Sequence, residues 1–154
     1  MGSVAFSRLE ALGLVLPEAP AAVGSYVPFL FAGDLLFISG QVSKAADGKL
    51  VRGQLGGDLD ITAGQAAARL CGLNILAQAH AALGDLDRIS QVVRLTGFVA
   101  SAPAFTEQPQ VINGASDLLV AVFGDRGRHT RSAVGVTGLP LGAAVEIDAI
   151  MRVA

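Results

Sequence analysis

Three charged residues, Arg131, Glu146 and Asp148, fall inside the closing stretch Arg128 to Ala154, in runs of β-forming residues with small neighbours. A guanidinium beside Ser132, Ala133 and Gly135 has room to hold a carboxylate or phosphate through its planar fork. Its plainer use is a salt bridge at the surface or between subunits. Glu146 stands between Val145 and Ile147 at a strand position that disfavours glutamate. It belongs either to a solvated strand face or to a half-buried site where a carboxylate orders a water. Asp148 is equally placed by alternation, and pattern does not separate its role from that of Glu146.

Two further residues have a chemical reading. Tyr26 is either a core aromatic at a strand edge or a phenol over a ligand. Asn113, inside a helical stretch where Asn is not favoured, either faces solvent or reaches a ligand. His80 on a helix surface, His129 in a loop and Cys71 packed in a helix read as structural. One cysteine and two separated histidines give neither an internal disulfide nor a zinc spacing.

These side chains need a sheet to hold them. Two β-forming runs flank Gly138-Leu139-Pro140-Leu141-Gly142, and such a loop predicts a β-hairpin. Pairing Gly138 with Ala143 sets Gly135 opposite Glu146 and leaves Arg131 and Glu146 roughly 13 Å apart. On the returning strand Val145, Ile147, Ala149 and Met151 form the core face. Alternation turns Glu146 and Asp148 the other way, onto the face assigned to Arg131, Ala133 and Gly135.

Upstream, Val4, Ala5, Leu9 and Leu12 have helical spacing, and Gly13 ends a short helix begun near Ser3. Leu16 to Pro20 reads as an extended connector. Tyr26 to Phe31 and Leu35 to Ser39 are strands around an Ala32-Gly33-Asp34 turn. Ala45 to Leu59 is a long loop with a possible edge strand at Lys49 to Arg52. Thr62 and Gln65 have the form of a capping box for a helix running to Leu83, with Ala66, Leu70, Leu73, Ala77 and Ala81 as its apolar stripe and Ile75 and Leu76 widening it. Ile89 to Ala100 is a long strand. Thr106, before Glu107, Gln108 and Pro109, marks a second helix start, and Val111, Ala115, Leu118, Val122 and Phe123 give that helix its apolar face. The order predicts an α+β fold, a single domain over residues 1–154 with residues 1–18 as N-terminal helix and connector. Two helices cover one sheet face, and the other face needs its own cover.

Composition says what that cover is. Of 154 residues, 16% are charged and 52% apolar, against about 25% charged in an average soluble domain, and the mean hydropathy is +0.56. The oiliest run, Ala66 to Gly84, is broken by Arg69, Asn74, Gln78 and His80, so a membrane span is not expected. Burial between copies of the chain is. A net charge of -2 and two lysines argue against a nucleic-acid partner. No basic-then-apolar leader opens the sequence, which makes the cytoplasm the default location.

From Ala19 to the C-terminus the chain resembles the YjgF/Rid family, the reactive intermediate deaminases also labelled L-PSP endoribonucleases, of chorismate-mutase-like fold. The resemblance rests on Ala19 to Tyr26 (APAAVGSY), Phe37-Ile38-Ser39-Gly40-Gln41, Thr96-Gly97-Phe98-Val99, Asn113, Arg131-Ser132-Ala133-Val134, Leu139-Pro140 and Val145 to Ile150. It implies a homotrimer whose three mixed sheets form an inner barrel, with ligand clefts between subunits. It implies Arg131 as the clamp on a substrate carboxylate and Glu146 as the group that places the attacking water, with Tyr26, Asn113 and Ala133 lining the same cleft. The implied reaction is hydrolysis of a 2-imino acid or enamine to a 2-keto acid and ammonia, without metal or organic cofactor. Three departures mark a distinct subgroup that carries the endoribonuclease label: Ala133 where deaminases usually have cysteine, Ser25 where they have proline, and the longer Ala45 to Leu59 loop. The alternatives are a non-catalytic carboxylate-binding or regulatory trimer and, weaker for want of a basic surface and paired histidines, an endoribonuclease.

Overall fold

Every apolar run found above becomes an element, and the register of those elements decides which side chains can meet. The computed structural model describes residues 2–154. Helix α1 (Val4–Ala11) is capped by Ser3, whose Oγ accepts from the Phe6 amide. The Asp87 carboxylate takes the free amides of Val4 and Ala5 at 2.7 and 3.0 Å, and this satisfies helix-start donors that would otherwise lack partners. Helices α2 (Ile61–Leu83) and α3 (Gln108–Phe123) pack against each other, and strands β1 (Phe29–Ala32), β2 (Leu35–Val42), β3 (Ile89–Ala100), β4 (Thr130–Val136) and β5 (Val145–Val153) form one sheet.

The strand order is β1-β2-β5-β3-β4. The β-hairpin expected around Gly138 to Gly142 does not form: β3 lies between β4 and β5, parallel to the first and antiparallel to the second. The linker instead turns through Pro140–Gly142, where Leu141 has φ 61°, and carries the chain across β3. The physical reason is available in β3. Its twelve residues alternate buried Leu95, Gly97 and Val99 with half-buried Arg94, Thr96 and Phe98, and a long apolar strand is best paired on both edges. Between β5 and β4 it hydrogen-bonds on both sides.

One face carries the core. Leu36, Leu95, Val99, Val145, Ile147 and Met151 are fully buried beneath Ala67, Cys71, Ile75 and Ile112, each large side chain contributing about 1.5–3 kcal/mol by leaving water. The apolar face expected for α3 is the buried one. That of α2 holds in its middle, where Leu73, Ile75, Leu76 and Ala77 are buried, and is displaced at its ends: Ala67, Ala68 and Ala79 are buried, while Ala66 and Ala81 are exposed. Its cap is Asp60, which accepts from Ala63 N at 2.8 Å, rather than Thr62, and Gln65 reaches Gln110 O on α3. An aspartate one residue ahead of the helix competes better for the free amides than the threonine inside it. Nor does Thr106 cap α3, whose N-cap is Glu107 and makes no side-chain cap bond. Lys49 to Arg52 makes only the isolated bridges Lys44↔Leu50 and Arg52↔Ala143, so the long loop folds over the Pro140–Gly142 turn without adding a strand.

Candidate functional site

The register divides the residues singled out in the sequence into two groups. Arg131 pairs with Leu95 and Ala133 with Gly97, so both face the helices at the outer edge of the sheet. Glu146 pairs with Phe98 and Asp148 with Thr96, on the face that no helix covers. Arg131 and Glu146 are therefore on opposite faces of the sheet, two strand spacings and three residues apart, roughly 14 Å between Cα atoms. The expectation that they share a face is overturned. It assumed direct pairing of β4 with β5, and the intervening β3 resets the alternation.

Arg131 is held from three sides. Its Nη1 donates to Asn113 Oδ1 at 2.8 Å and to Ser116 Oγ at 3.0 Å, and Nη2 donates to Pro109 O at 3.2 Å. Asn113 and Ser116 are one helical turn apart on α3 and so project together. A guanidinium has five N–H donors, so these bonds leave two unused. Asn113 thus orients the arginine, and its oxygen is already taken in this chain. Ala133, two residues on and half-buried, presents only a methyl group.

Glu146 lies in a cavity of about 610 Å³ on the open face, whose lining includes Tyr26, Phe37, Gly40, Arg94, Phe98 and Asp148. Tyr26 is 53% exposed and accepts a bond from the Val23 amide at 3.4 Å, so it is a rim residue and not part of the core. Between Ile38 and Gln41 the pairing of β2 with β5 slips by one residue, and this bulge puts Gly40 beneath Glu146. A Cβ at Gly40 would stand 3.0 Å from Glu146 Cδ. Burial first, and the neighbouring Asp148 charge second, hold the Glu146 carboxyl above the usual glutamate pKa. Among the described residues the ion pairs are Lys49–Asp47 and Arg128–Asp125, and neither reaches this cavity.

Two contributors went unread in the sequence, and a third was read there as structural only. Arg94 is on the open face, where its Nη2 donates to Ser132 Oγ at 2.9 Å; the alternation of β3 with Thr96 and Phe98 carried that signal. Ser116 was legible as the residue one turn after Asn113. His129 bonds Ser116 at 2.9 Å and Gly127 O at 2.7 Å, and nothing local in the sequence announces this. His80 packs edge-on against Phe6 at 5.0 Å, and Cys71 is fully buried, its thiol pushed up by desolvation. Among the described residues, no three His, Cys, Asp or Glu side chains converge as metal ligands, and no helix is long and apolar enough to cross a membrane.

A family model described as "YjgF/chorismate_mutase-like, putative endoribonuclease" matches residues 6–149. Protein TCP17 of Trypanosoma cruzi is 52% identical over 147 residues, which cover 95% of this chain and 92% of that protein. The crystal structure of Atu1372 from Agrobacterium tumefaciens, a protein of unknown function, matches with TM-score 0.92 and 50% identity over 98% of this chain and 93% of that one. The likeness to E. coli TdcF, crystallised with bound serine, is looser: TM-score 0.62 and 26% identity, over 89% and 94% of the two chains.

Proposed function

Since the chain belongs to the YjgF/chorismate-mutase-like family and has its fold, we propose that it is a hydrolase of small 2-imino acids and their enamines, acting in clefts between the subunits of a homotrimer. One observation carries this reading. Arg131, with two donors to spare, lies against α3 on the edge strand β4, while Glu146 lies in a cavity on the uncovered face. A single chain cannot bring both to one small substrate. Packing the β4 edge of one copy near the open face of the next does, and it also buries the exposed Leu30, Phe37 and Val134. A head-to-tail contact of this kind closes into a ring.

The chemistry asks little of the protein. Water adds to the imine carbon, the carbon–nitrogen bond breaks, the water oxygen becomes the keto oxygen, and both water protons leave on nitrogen as ammonia. Arg131 fixes the carboxylate of the substrate. The ionised Glu146 of the adjacent copy takes a proton from the attacking water, a proximity and general-base role. Serine in TdcF, a small ligand with a carboxylate, fits the same anchor chemistry. A second reading, a trimer that binds small carboxylates without turnover, is favoured by Ala133, which supplies no proton donor or nucleophile beside Arg131.

Mixing two dead variants tests the shared cleft. Arg131→Ala and Glu146→Gln, co-expressed in equal amounts and assayed with freshly generated 2-iminopropanoate, are expected to recover about a quarter of parent activity, since random assembly of a ring pairs an intact arginine with an intact glutamate in that share of clefts. No recovery, with mixed oligomers present, would place both groups in one chain's site and defeat the reading.

A further inference from the structure

The orientation of Arg131 is set by a chain of hydrogen bonds that ends on a histidine. His129, half-buried just before β4, has Nδ1 2.7 Å from the Gly127 carbonyl and Nε2 2.9 Å from Ser116 Oγ. A carbonyl only accepts, so the proton of the neutral ring is on Nδ1 and Nε2 is left as an acceptor. Ser116 has one hydroxyl proton and gives it to Nε2, which turns an oxygen lone pair toward Arg131 Nη1, 3.0 Å away. Every donor then runs the same way, from Arg131 to Ser116 to His129 to Gly127, an arrangement in which each bond polarises the next. Gly127 itself is fixed, because a side chain there would run into the Leu119 carbonyl.

The ring's electrical setting agrees. Burial, opposed by the bond to Gly127 and aided by the Arg131 charge, holds His129 below the usual histidine pKa. The groups sharing its outer cavity are cationic or neutral: Arg128, Arg152, Gln91 and Thr130. Arg128 is paired at the surface with Asp125.

We propose that Ser116 and His129 are positioning residues of the anion anchor: the neutral ring sets the direction of the Ser116 hydroxyl, and the hydroxyl with Asn113 aims the free donors of Arg131 at the carboxylate of a small 2-keto or 2-imino acid. This rests on the reading of Arg131 as that anchor. Neither residue touches the ligand. A merely structural pair would change stability and leave affinity alone, whereas a positioning pair changes affinity and is rescued by substitutions that keep the polar atom.

Calorimetric titration with pyruvate at neutral pH separates these. Ser116→Ala and His129→Phe are expected to weaken binding about threefold to tenfold, the worth of one neutral hydrogen bond, while Ser116→Thr and His129→Gln, which retain a hydroxyl and an acceptor, bind within about twofold of the parent. Affinity equal to the parent's in both disrupting variants overturns the inference and leaves the Arg131 anchor standing. No binding by the parent removes the anchor reading and this inference with it. Nitrogen-15 spectra of the parent's imidazole give a second, ligand-free readout that holds if a variant fails to fold. The ring is expected neutral with its proton on Nδ1 at pH 7; a charged ring, or a proton on Nε2, overturns the chain.

Discussion

The Arg131 edge and the Glu146 cavity are built on different principles. At the edge, one protomer supplies every bond that orients the cation: Asn113, Ser116 and Pro109 engage three donors and leave two pointing free. In the cavity, the carboxylate lies over a bulge glycine among Phe98, Asp148 and the rim of Tyr26, with burial pushing its pKa up. A binding group has to be preorganised before ligand arrives, and the chain does this locally. A water-activating group has to stay uncompensated until substrate and water are enclosed, and a half-built cavity on an open face leaves it so. If the proposed function holds, the contrast makes affinity and turnover separable, by residue and by subunit.

The sharpest way to break that comparison is Glu146→Gln. Turnover of 2-iminopropanoate is expected to fall about 10²-fold or more, within the range of a positioned acid/base group, with pyruvate affinity nearly unchanged. Arg131→Ala is expected to do the reverse first, weakening pyruvate by about 1.5–3 kcal/mol in calorimetry, the worth of hydrogen bonds to a charged group. Arg131→Lys recovers only part of it, since an ammonium has no planar fork. Loss of binding in Glu146→Gln as large as in Arg131→Ala would show that the carboxylate also holds the ligand and that the two regions do not divide binding from turnover.

How far the sequence revealed these regions follows from the range of the interactions involved. Alternation along β5 placed Val145, Ile147, Ala149 and Met151 inside and Glu146 and Asp148 outside, and the structure has them so. That reading needs only neighbours two residues apart. The face of Arg131 was misread because it depended on pairing β4 with β5, and strand pairing is a long-range choice that a Gly-Pro loop does not dictate. The α2 cap was misplaced by two residues for a related reason: Thr62 and Gln65 had the right spacing, but Asp60 and the α3 carbonyl of Gln110 offered better partners. An asparagine inside a helix brought Asn113 to notice as solvent-facing or ligand-reaching, and only the packing of α3 on β4 shows that it holds the arginine.

A smaller perturbation sharpens the cavity side alone. Gly40→Ala places a methyl group 3.0 Å from the Glu146 carboxyl carbon, close enough that the side chain has to shift by a few tenths of an ångström. Turnover is expected to fall several-fold, on the order of 1 kcal/mol in the barrier, with pyruvate titrations unchanged. Asp148→Asn acts through charge instead. On the proposed mechanism Glu146 works ionised, so activity is expected to be lost as pH falls through its raised pKa. Removing the neighbouring charge, the second cause of that rise, lowers the pKa and moves the acid limb of the kcat/KM profile to lower pH. An unmoved limb would mean that another group governs it.

The least of the expected effects tests the anchor side in the absence of any ligand, through stability. His129 is held neutral in the folded chain, chiefly by desolvation, with the nearby Arg131 charge adding to it, whereas the unfolded chain titrates it at an ordinary histidine value. Between the depressed folded pKa and the unfolded one, the unfolded state therefore binds a proton that the folded state refuses. Stability then rises with pH across that window, and falls as the solution is acidified through the histidine range. Once pH drops below the folded pKa both states are protonated and this contribution stops changing. In urea titrations of the parent between pH 5 and 7.5 this appears as a slope, and His129→Gln, which keeps an acceptor for Ser116 but does not titrate, is expected to flatten it. The other histidine, His80, stays as an internal control. A slope as steep in His129→Gln as in the parent would mean that the ring takes up its proton equally in the folded and the unfolded chain, so that burial beside Ser116 and Arg131 does not hold it neutral.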